Sequence, residues 1–99
     1  MEFADETPRH TRITKVISVP AGKAILEDHT RYPADVSNLY FLNESGELVW
    51  YAERPAPETH YIRVKLSQDG RTLSGYTTDS TACEIDIKSG KLLSQIAFK

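Results

Sequence analysis

The fold is decided by residues 38 to 53, which read Asn-Leu-Tyr-Phe-Leu-Asn-Glu-Ser-Gly-Glu-Leu-Val-Trp-Tyr-Ala-Glu. A turn cluster, Glu44-Ser45-Gly46, separates two aromatic and aliphatic runs, and this pattern predicts a β-hairpin. We expect a three-residue loop in which Gly46 adopts the left-handed conformation. That loop would place Leu42 opposite Leu48.

The same register assigns the side chains of this hairpin to two faces, because side chains alternate along a strand. It places Phe41 opposite Val49 and Tyr40 opposite Trp50. One face would carry Tyr40, Leu42, Leu48 and Trp50. The other would carry Leu39, Phe41, Val49 and Tyr51. Since neither face is polar, we expect one to pack on the core and the other on a second layer of the same chain, a partner subunit or a ligand. Burial within its own domain is the usual fate of such residues.

Composition limits the class of protein. The chain has 99 residues, the size of one domain, with 39% hydrophobic and 26% charged residues, which is typical of a globular fold. A net charge of −2 without a basic stripe disfavours nucleic-acid binding. The single Cys83 excludes an intramolecular disulfide, and no apolar run reaches the length of a membrane span. The acidic N-terminus lacks a signal core, so we expect a cytoplasmic protein that does not bind membranes.

The remaining chain divides into a tail and two similar units. Residues 1 to 11 are polar and acidic, which predicts a flexible tail. Residues 12 to 99 are expected to form a single β domain whose units, 12–53 and 60–98, are joined by the proline-containing connector 54–59. No stretch shows a capped 3.6-residue period, so we expect eight strands and little helix.

The second unit contains two further predicted hairpins. The first spans Tyr61 to Thr78 around Asp69-Gly70, a strong signal for a two-residue type I′ turn. Its core-facing residues would be Ile62, Val64 and Leu66, and its outward residues Tyr61, Arg63 and Lys65. The second hairpin pairs Ala82–Ile87 with Lys91–Phe98. One of its faces would carry Cys83, Ile85, Leu92 and Ile96, and the other Glu84, Asp86 and Gln95.

Each unit ends in a strand, an Asn or Asp, a Gly turn and a second strand. This order, at a period in the forties, resembles the blades of quinoprotein-type β-propellers. Asn43 to Trp50 fits the pattern best, whereas Ser94 stands where the blade motif has an aromatic residue. The resemblance implies that the units are scaffolds, and no residue set matches a quinone site, so we expect no cofactor. Two blades cannot close a ring. We therefore expect an all-β fold of two four-stranded antiparallel meanders, packed as a sandwich, assembled with other copies into a propeller, or covered by another protein.

The residues that carry chemistry form no recognised catalytic or metal-binding signature. His10, His29 and His60 lie at no spacing that suits a metal. Asp28 and His29 could join a distant Ser or Cys83 in a nucleophilic triad, but no nucleophile elbow supports this. The sequence therefore predicts no catalytic residue and no metal site.

Two groups of residues are candidates for binding. Tyr40, Phe41, Trp50 and Tyr51 offer the large aromatic area that dominates protein interfaces. The hydroxyl-rich stretch Ser74 to Thr81 holds Tyr76 and Asp79, which could form the rim of a polar ligand site.

The leading hypothesis is a non-catalytic interaction module that self-associates or binds another protein. Bacterial inhibitor and immunity proteins often have this size, and this comparison is an analogy. The alternative is a small-ligand binder, for example for a carbohydrate, that uses aromatic residues between the two units. The third possibility is an enzyme of unknown type.

Overall fold

A computed structural model describes residues 7 to 98 and shows two four-stranded antiparallel sheets. The strands are Ile13–Val19 (β1), Gly22–Glu27 (β2), Leu39–Asn43 (β3), Leu48–Tyr51 (β4), Tyr61–Leu66 (β5), Thr72–Thr77 (β6), Thr81–Asp86 (β7) and Leu92–Ala97 (β8). The N-terminal sheet has the order β1-β2-β3-β4, and the C-terminal sheet the order β5-β6-β7-β8. Both are meanders, which confirms the all-β prediction. Between residues 7 and 98 there is no helix suited to crossing a membrane.

The two sheets bury one face each in a shared core, as a sandwich does. Its buried members from the N-terminal unit are Ala24, Leu26, Leu39, Phe41, Trp50 and Ala52, and those from the C-terminal sheet are Tyr61, Val64, Leu73, Cys83 and Ile85. The edge strand β5 lies close to β1 and β2. A single core therefore includes both units, while Ile25, Tyr32 and Tyr40 of the N-terminal unit are buried outside it.

Buried hydrogen bonds join the units across this core. The Asn38 amide donates to the carbonyl oxygens of Glu27, at 2.7 Å, and Tyr61, at 2.8 Å. Its Oδ1 accepts the Tyr61 N–H at 2.8 Å. The Tyr61 hydroxyl donates to the Glu53 carbonyl at 2.6 Å, and the Trp50 indole to the Ile87 carbonyl at 3.1 Å. These bonds fix the two sheets relative to each other, because each satisfies a polar group that would otherwise be buried unpaired.

A β-bulge interrupts every edge strand, while both central strand pairs are regular. The extra residues are Thr14 in β1, Val49 in β4, Ile62 in β5 and Leu93 in β8. Bulges at sheet edges increase twist and discourage pairing with other chains. They also move every later side chain of the strand to the opposite face.

The bulge at Val49 corrects the predicted register of the central hairpin. The turn is as predicted, since Gly46 has φ 82° and its N–H donates to the Asn43 carbonyl at 2.9 Å. Beyond the bulge, however, Phe41 pairs with Trp50 and Tyr40 pairs with Tyr51. The predicted grouping of Trp50 with Tyr40 was therefore wrong.

The bulge at Ile62 has the same effect in β5. Ile62 was expected in the core and is 38% exposed, while Tyr61, expected outside, is fully buried. The turn also differs from the prediction. The Ser67 N–H donates to the Thr72 carbonyl, and of the loop residues only Gly70 has positive φ, whereas a type I′ turn requires two.

The bulge at Leu93 places the later side chains of β8 on the faces opposite to those predicted. Ile96 was expected on the face of Cys83, but it lies opposite Ala82. Gln95 was expected to face outward and instead lies opposite Cys83. As a result, Ile96 leaves the core and is 61% exposed.

Candidate functional site

Phe41 and Trp50, two of the predicted contact residues, lie in the shared core. Their rings stack with centroids 5.4 Å apart, and both side chains are buried. Gly90 packs directly on the indole, where a Cβ would come within 2.6 Å of ring carbons. The second sheet thus covers this face of the central hairpin.

Tyr40 is buried on the opposite face, beneath the chain that precedes β1. Its hydroxyl donates to the Glu27 carboxylate at 2.5 Å. The same carboxylate accepts the backbone N–H groups of Arg9, His10 and Thr11, at 2.6, 3.1 and 2.8 Å. Residues 9 to 11, part of the predicted tail, are therefore bonded to the sheet. Residues 1 to 6 of that tail lie outside the described part of the chain.

The electrostatics of Glu27 favour its charged form. Burial opposes ionisation, but the hydrogen bonds from Arg9 N–H, the Tyr40 hydroxyl and the other backbone donors outweigh it. The pKa of the Glu27 carboxyl is accordingly lower than its ordinary value. The Arg9 guanidinium also lies 5.3 Å from the Tyr40 ring centroid. The chain itself thus buries Phe41 and Trp50 on one face of the central hairpin and Tyr40 on the other, while Leu48, Val49 and Tyr51 of β4 are exposed.

Tyr51 lies at the margin of this covered face. It is 37% exposed and contacts Tyr40 edge-on, with ring centroids 5.9 Å apart. Nearby, Tyr32 packs between the rings of His10 and His60. The Tyr32 hydroxyl is buried and has no hydrogen-bond partner among the groups that the structure describes.

Tyr76 and Asp79 have different neighbours in the C-terminal unit. The Arg63 guanidinium lies 4.6 Å from the Tyr76 ring centroid, on the outer face of the C-terminal sheet. Asp79 accepts a hydrogen bond from the Thr77 hydroxyl, which lowers the pKa of its carboxyl. The depression beside Asp79, of ≈ 330 Å³, is lined by Pro55, Thr81, Gln95 and Ala97 as well.

An exposed apolar group that was not predicted from the sequence lies on β8 and just beyond it. Leu93, Ile96 and Phe98 are each more than half exposed. Ile96 and Phe98 lie two residues apart on the outer face of the C-terminal sheet. The uncharged run from Leu92 to Phe98 was the available signal, but the predicted register had assigned Ile96 to the core.

The backbone of β8 presents free hydrogen-bonding groups beside these side chains. The Phe98 N–H donates to the Ser80 carbonyl at 2.8 Å. Bonded and non-bonded residues alternate in an antiparallel ladder. The backbone N–H and C=O groups of Ile96 and Ser94 therefore also point towards β7. The N–H and C=O groups of Gln95 and Ala97 therefore point away from the sheet, at its open edge.

The other three edges each carry a feature that opposes symmetric pairing. An exposed lysine, Lys15, lies in β1. Strand β4 has four residues and is flanked by Glu47 and Glu53. Exposed cations, Arg63 and Lys65, lie in β5, which also lies close to the N-terminal sheet. Strand β8 has no charged residue of its own, although the Glu53 carboxylate accepts the N–H of its first residue, Leu92, at 2.8 Å.

An apolar groove opens between the hairpin ends of the two sheets. Its volume is ≈ 410 Å³, and its lining residues are Val19, Pro20, Ala21, Phe41, Asn43, Val49, Gly70, Ile87 and Lys88. The described residues contain no cluster of three or more His, Cys, Asp or Glu side chains able to hold a metal.

Comparison of the chain with protein-family models, curated proteins and solved structures found no match. The resemblance to propeller blades therefore remains an expectation from sequence. The edge of β8 and the groove are two features of the described surface that could bind another molecule.

Proposed function

We propose that this protein is a non-catalytic interaction module that self-associates by pairing β8 with β8 of a second copy. The single observation that carries the proposal is the open edge of β8, which is uncharged and exposes Ile96 and Phe98. Antiparallel addition of an edge strand is a common mode of protein recognition, in which backbone bonds supply affinity and side chains supply specificity.

The edge geometry suits a two-fold axis at Ile96. In that register Gln95 of one copy lies opposite Ala97 of the other, and both present free N–H and C=O groups. Ile96 then meets its own counterpart on the outer face, and Phe98 lies opposite Ser94. Two copies of the C-terminal sheet would form one continuous eight-stranded sheet, with an isologous interface as expected for a two-fold dimer.

Charge favours β8 over the other edges as the site of self-pairing. A two-fold axis brings each residue near its own copy, so like charges along an edge repel. Pairing β5 about Val64 would place Arg63 opposite Lys65. Pairing β4 with itself would place Glu47 opposite Glu53. No charged residue from Leu92 to Phe98 opposes the pairing of β8.

Solution mass as a function of protein concentration tests the proposal. One pair of edge strands is expected to bury less than the roughly 1,600 Å² of a standard interface, so we expect a dimer in the micromolar range. Ile96→Lys introduces a charge beside its own copy and should give a monomer. The position is 61% exposed, so the fold should persist.

Ile62→Lys is the matched control. It makes the same change at an exposed isoleucine on the opposite edge of the same sheet, and it should leave the dimer intact. A wild-type monomer at all concentrations, or equal loss of the dimer in both variants, would contradict pairing through β8.

A further inference from the structure

We propose that the groove between the hairpin ends binds small carboxylates with an apolar body, such as a medium-chain fatty acid. Its volume of ≈ 410 Å³ lies within the range of small-molecule sites, which is roughly 300 to 1,000 Å³. The site is distinct from the β8 edge, so the inference does not depend on self-association.

The walls of the groove are apolar and come from both sheets. Val19, Phe41 and Val49 belong to the N-terminal sheet, and Ile87 follows β7 in the C-terminal sheet. Pro20 and Ala21 complete the apolar lining. A hydrocarbon or aryl group placed there would contact both units, because the groove lies where their hairpin ends diverge. Such apolar lining with few polar groups is typical of sites that bind apolar ligands.

The polar groups of the groove determine the head group it accepts. The Asn43 side chain is engaged in its own turn, since it donates to Glu47 at 3.0 Å and accepts from the Ser45 N–H at 2.9 Å. Lys88 is exposed and has no ion-pair partner among residues 7 to 98. A carbohydrate needs several free hydrogen-bonding partners, whereas this groove offers one free cation. We therefore infer an anionic ligand and not a sugar.

The acidic groups of the neighbouring turns leave this cation available. Glu47 accepts the Asn43 amide, and Asp69 accepts the Ser67 hydroxyl at 2.8 Å and the Arg71 N–H at 3.0 Å. Glu44 borders a separate depression, of ≈ 270 Å³, and not this groove.

Trp50, the one tryptophan of the chain, lies directly behind the groove wall. Its ring stacks on Phe41, and its N–H donates to the carbonyl of Ile87, at 3.1 Å. A ligand that contacts Phe41 or Ile87 should therefore change the indole fluorescence. Equilibrium dialysis with labelled ligand gives a second readout that does not depend on this signal.

The test compares decanoate with decanol, which share a chain length and differ in charge, using the full chain below micellar concentrations. We expect saturable binding of decanoate and weaker binding of decanol. Lys88→Gln should weaken decanoate binding by about two- to fivefold, the size expected for an exposed ion pair, and should not affect decanol. Lys91→Gln changes a lysine of the same turn that does not line the groove, so it should have no effect.

Two further variants locate the bound chain. Val49→Asp places a carboxylate on the wall at a half-exposed position, so it should fold and reduce decanoate binding by at least about tenfold, through repulsion and lost apolar contact. Ile96→Lys should leave decanoate binding unchanged, because β8 is not part of the groove. Equal affinity for decanoate and decanol, no saturable binding by dialysis, or loss of binding in Ile96→Lys but not in Val49→Asp would overturn the proposal.

Discussion

The two sheets have the same meander order but differ in how their outer faces are covered. In the N-terminal sheet, Tyr40 and Ile25 on the outer face are fully buried, and residues 9 to 11 are bonded there to Glu27. In the C-terminal sheet, the outer face carries Ile96 and Phe98, both exposed. The same chain thus buries the centre of one outer face, where only Leu48 and Tyr51 at the β4 edge are exposed among the described large apolar residues, and leaves Ile96 and Phe98 of the other uncovered. An apolar hairpin therefore does not by itself indicate an interface, because a neighbouring segment of the same chain can cover it.

The largest expected effect concerns Trp50, whose neighbour Tyr51 lies on the other face of the same strand. Trp50→Ala should lower the free energy of unfolding by about 3 to 5 kcal/mol, because it empties a large buried site between the sheets. Tyr51→Ala removes a partly exposed ring and should lower the free energy of unfolding by clearly less. Urea denaturation measures both. If the two variants were equally stable, the stacked pair of Phe41 and Trp50 would not be the centre of the shared core.

The next largest effect concerns residues 9 to 11, which cover the outer face of the N-terminal sheet. Glu27→Gln keeps the size of the side chain but replaces one acceptor oxygen by a donor that faces N–H groups. We expect a loss of roughly 2 to 3 kcal/mol, as for charged hydrogen bonds at buried sites. Amide hydrogen exchange at Arg9, His10 and Thr11 should become faster at the same time. Unchanged exchange at these amides would show that Glu27 does not fix residues 9 to 11 to the sheet.

The pH dependence of stability follows from the same carboxyl group. The pKa of Glu27 is lower in the folded state than the ordinary value of 4.5. The contribution of Glu27 is therefore fully present above pH 4.5 and is lost as the pH falls through the lower, folded-state pKa. Urea denaturation should show a shallower decline of stability below pH 4.5 in Glu27→Gln than in the wild type. Identical slopes would contradict the lowered pKa.

Proline substitutions in β8 distinguish its free edge from its bonded edge. Ser94→Pro removes an N–H that points to β7 and should cost about 1 to 3 kcal/mol of stability. Gln95→Pro removes an N–H that points outward, where proline is tolerated at an edge, so it should prevent dimer formation and largely preserve stability. Solution mass and thermal unfolding measure the two effects. A reversed pattern would show that the register of β8 is shifted by one residue.

The smallest expected effect is on the outer face of the C-terminal sheet. Arg63→Ala removes a cation over the Tyr76 ring and should cost about 0.5 to 1 kcal/mol, as is usual at exposed sites. The dimer should be unaffected, because Arg63 lies in β5 at the opposite edge. Loss of the dimer in this variant would show that the interface includes the outer face of the C-terminal sheet and is not confined to the β8 edge.

Sequence patterns predicted the strands well and the faces of the edge strands poorly. Alternation and Gly turns identify eight strands, and the observed pair Leu42–Leu48 agrees with the predicted register. Each error in the assignment of a face begins at a bulge, at Val49, Ile62 or Leu93. A bulge depends on strand twist and on what covers the edge, and neither is encoded in local alternation.

The candidate site was missed for the same reason. With Leu93 counted as a regular ladder residue, Ile96 and Phe98 fall on the core face, and the outer side of β8 carries Leu93, Gln95 and Ala97 instead. The cover over Tyr40 was equally hidden, because it depends on bonds between Glu27 and chain 16 to 18 residues away, in a stretch without secondary-structure signals. The buried Asn38 that joins the units gave no signal either, since an isolated Asn before a strand usually indicates a turn.

Pairing through β8 can be tested by amide exchange at Gln95 and Ala97, measured as a function of protein concentration. Both amides should exchange as free edge groups in dilute protein and become protected as its concentration rises. The amide of Lys15, at the charged edge of the other sheet, should stay unchanged. Fast exchange at Gln95 and Ala97 at every concentration, in a sample that nevertheless dimerises, would contradict pairing through β8.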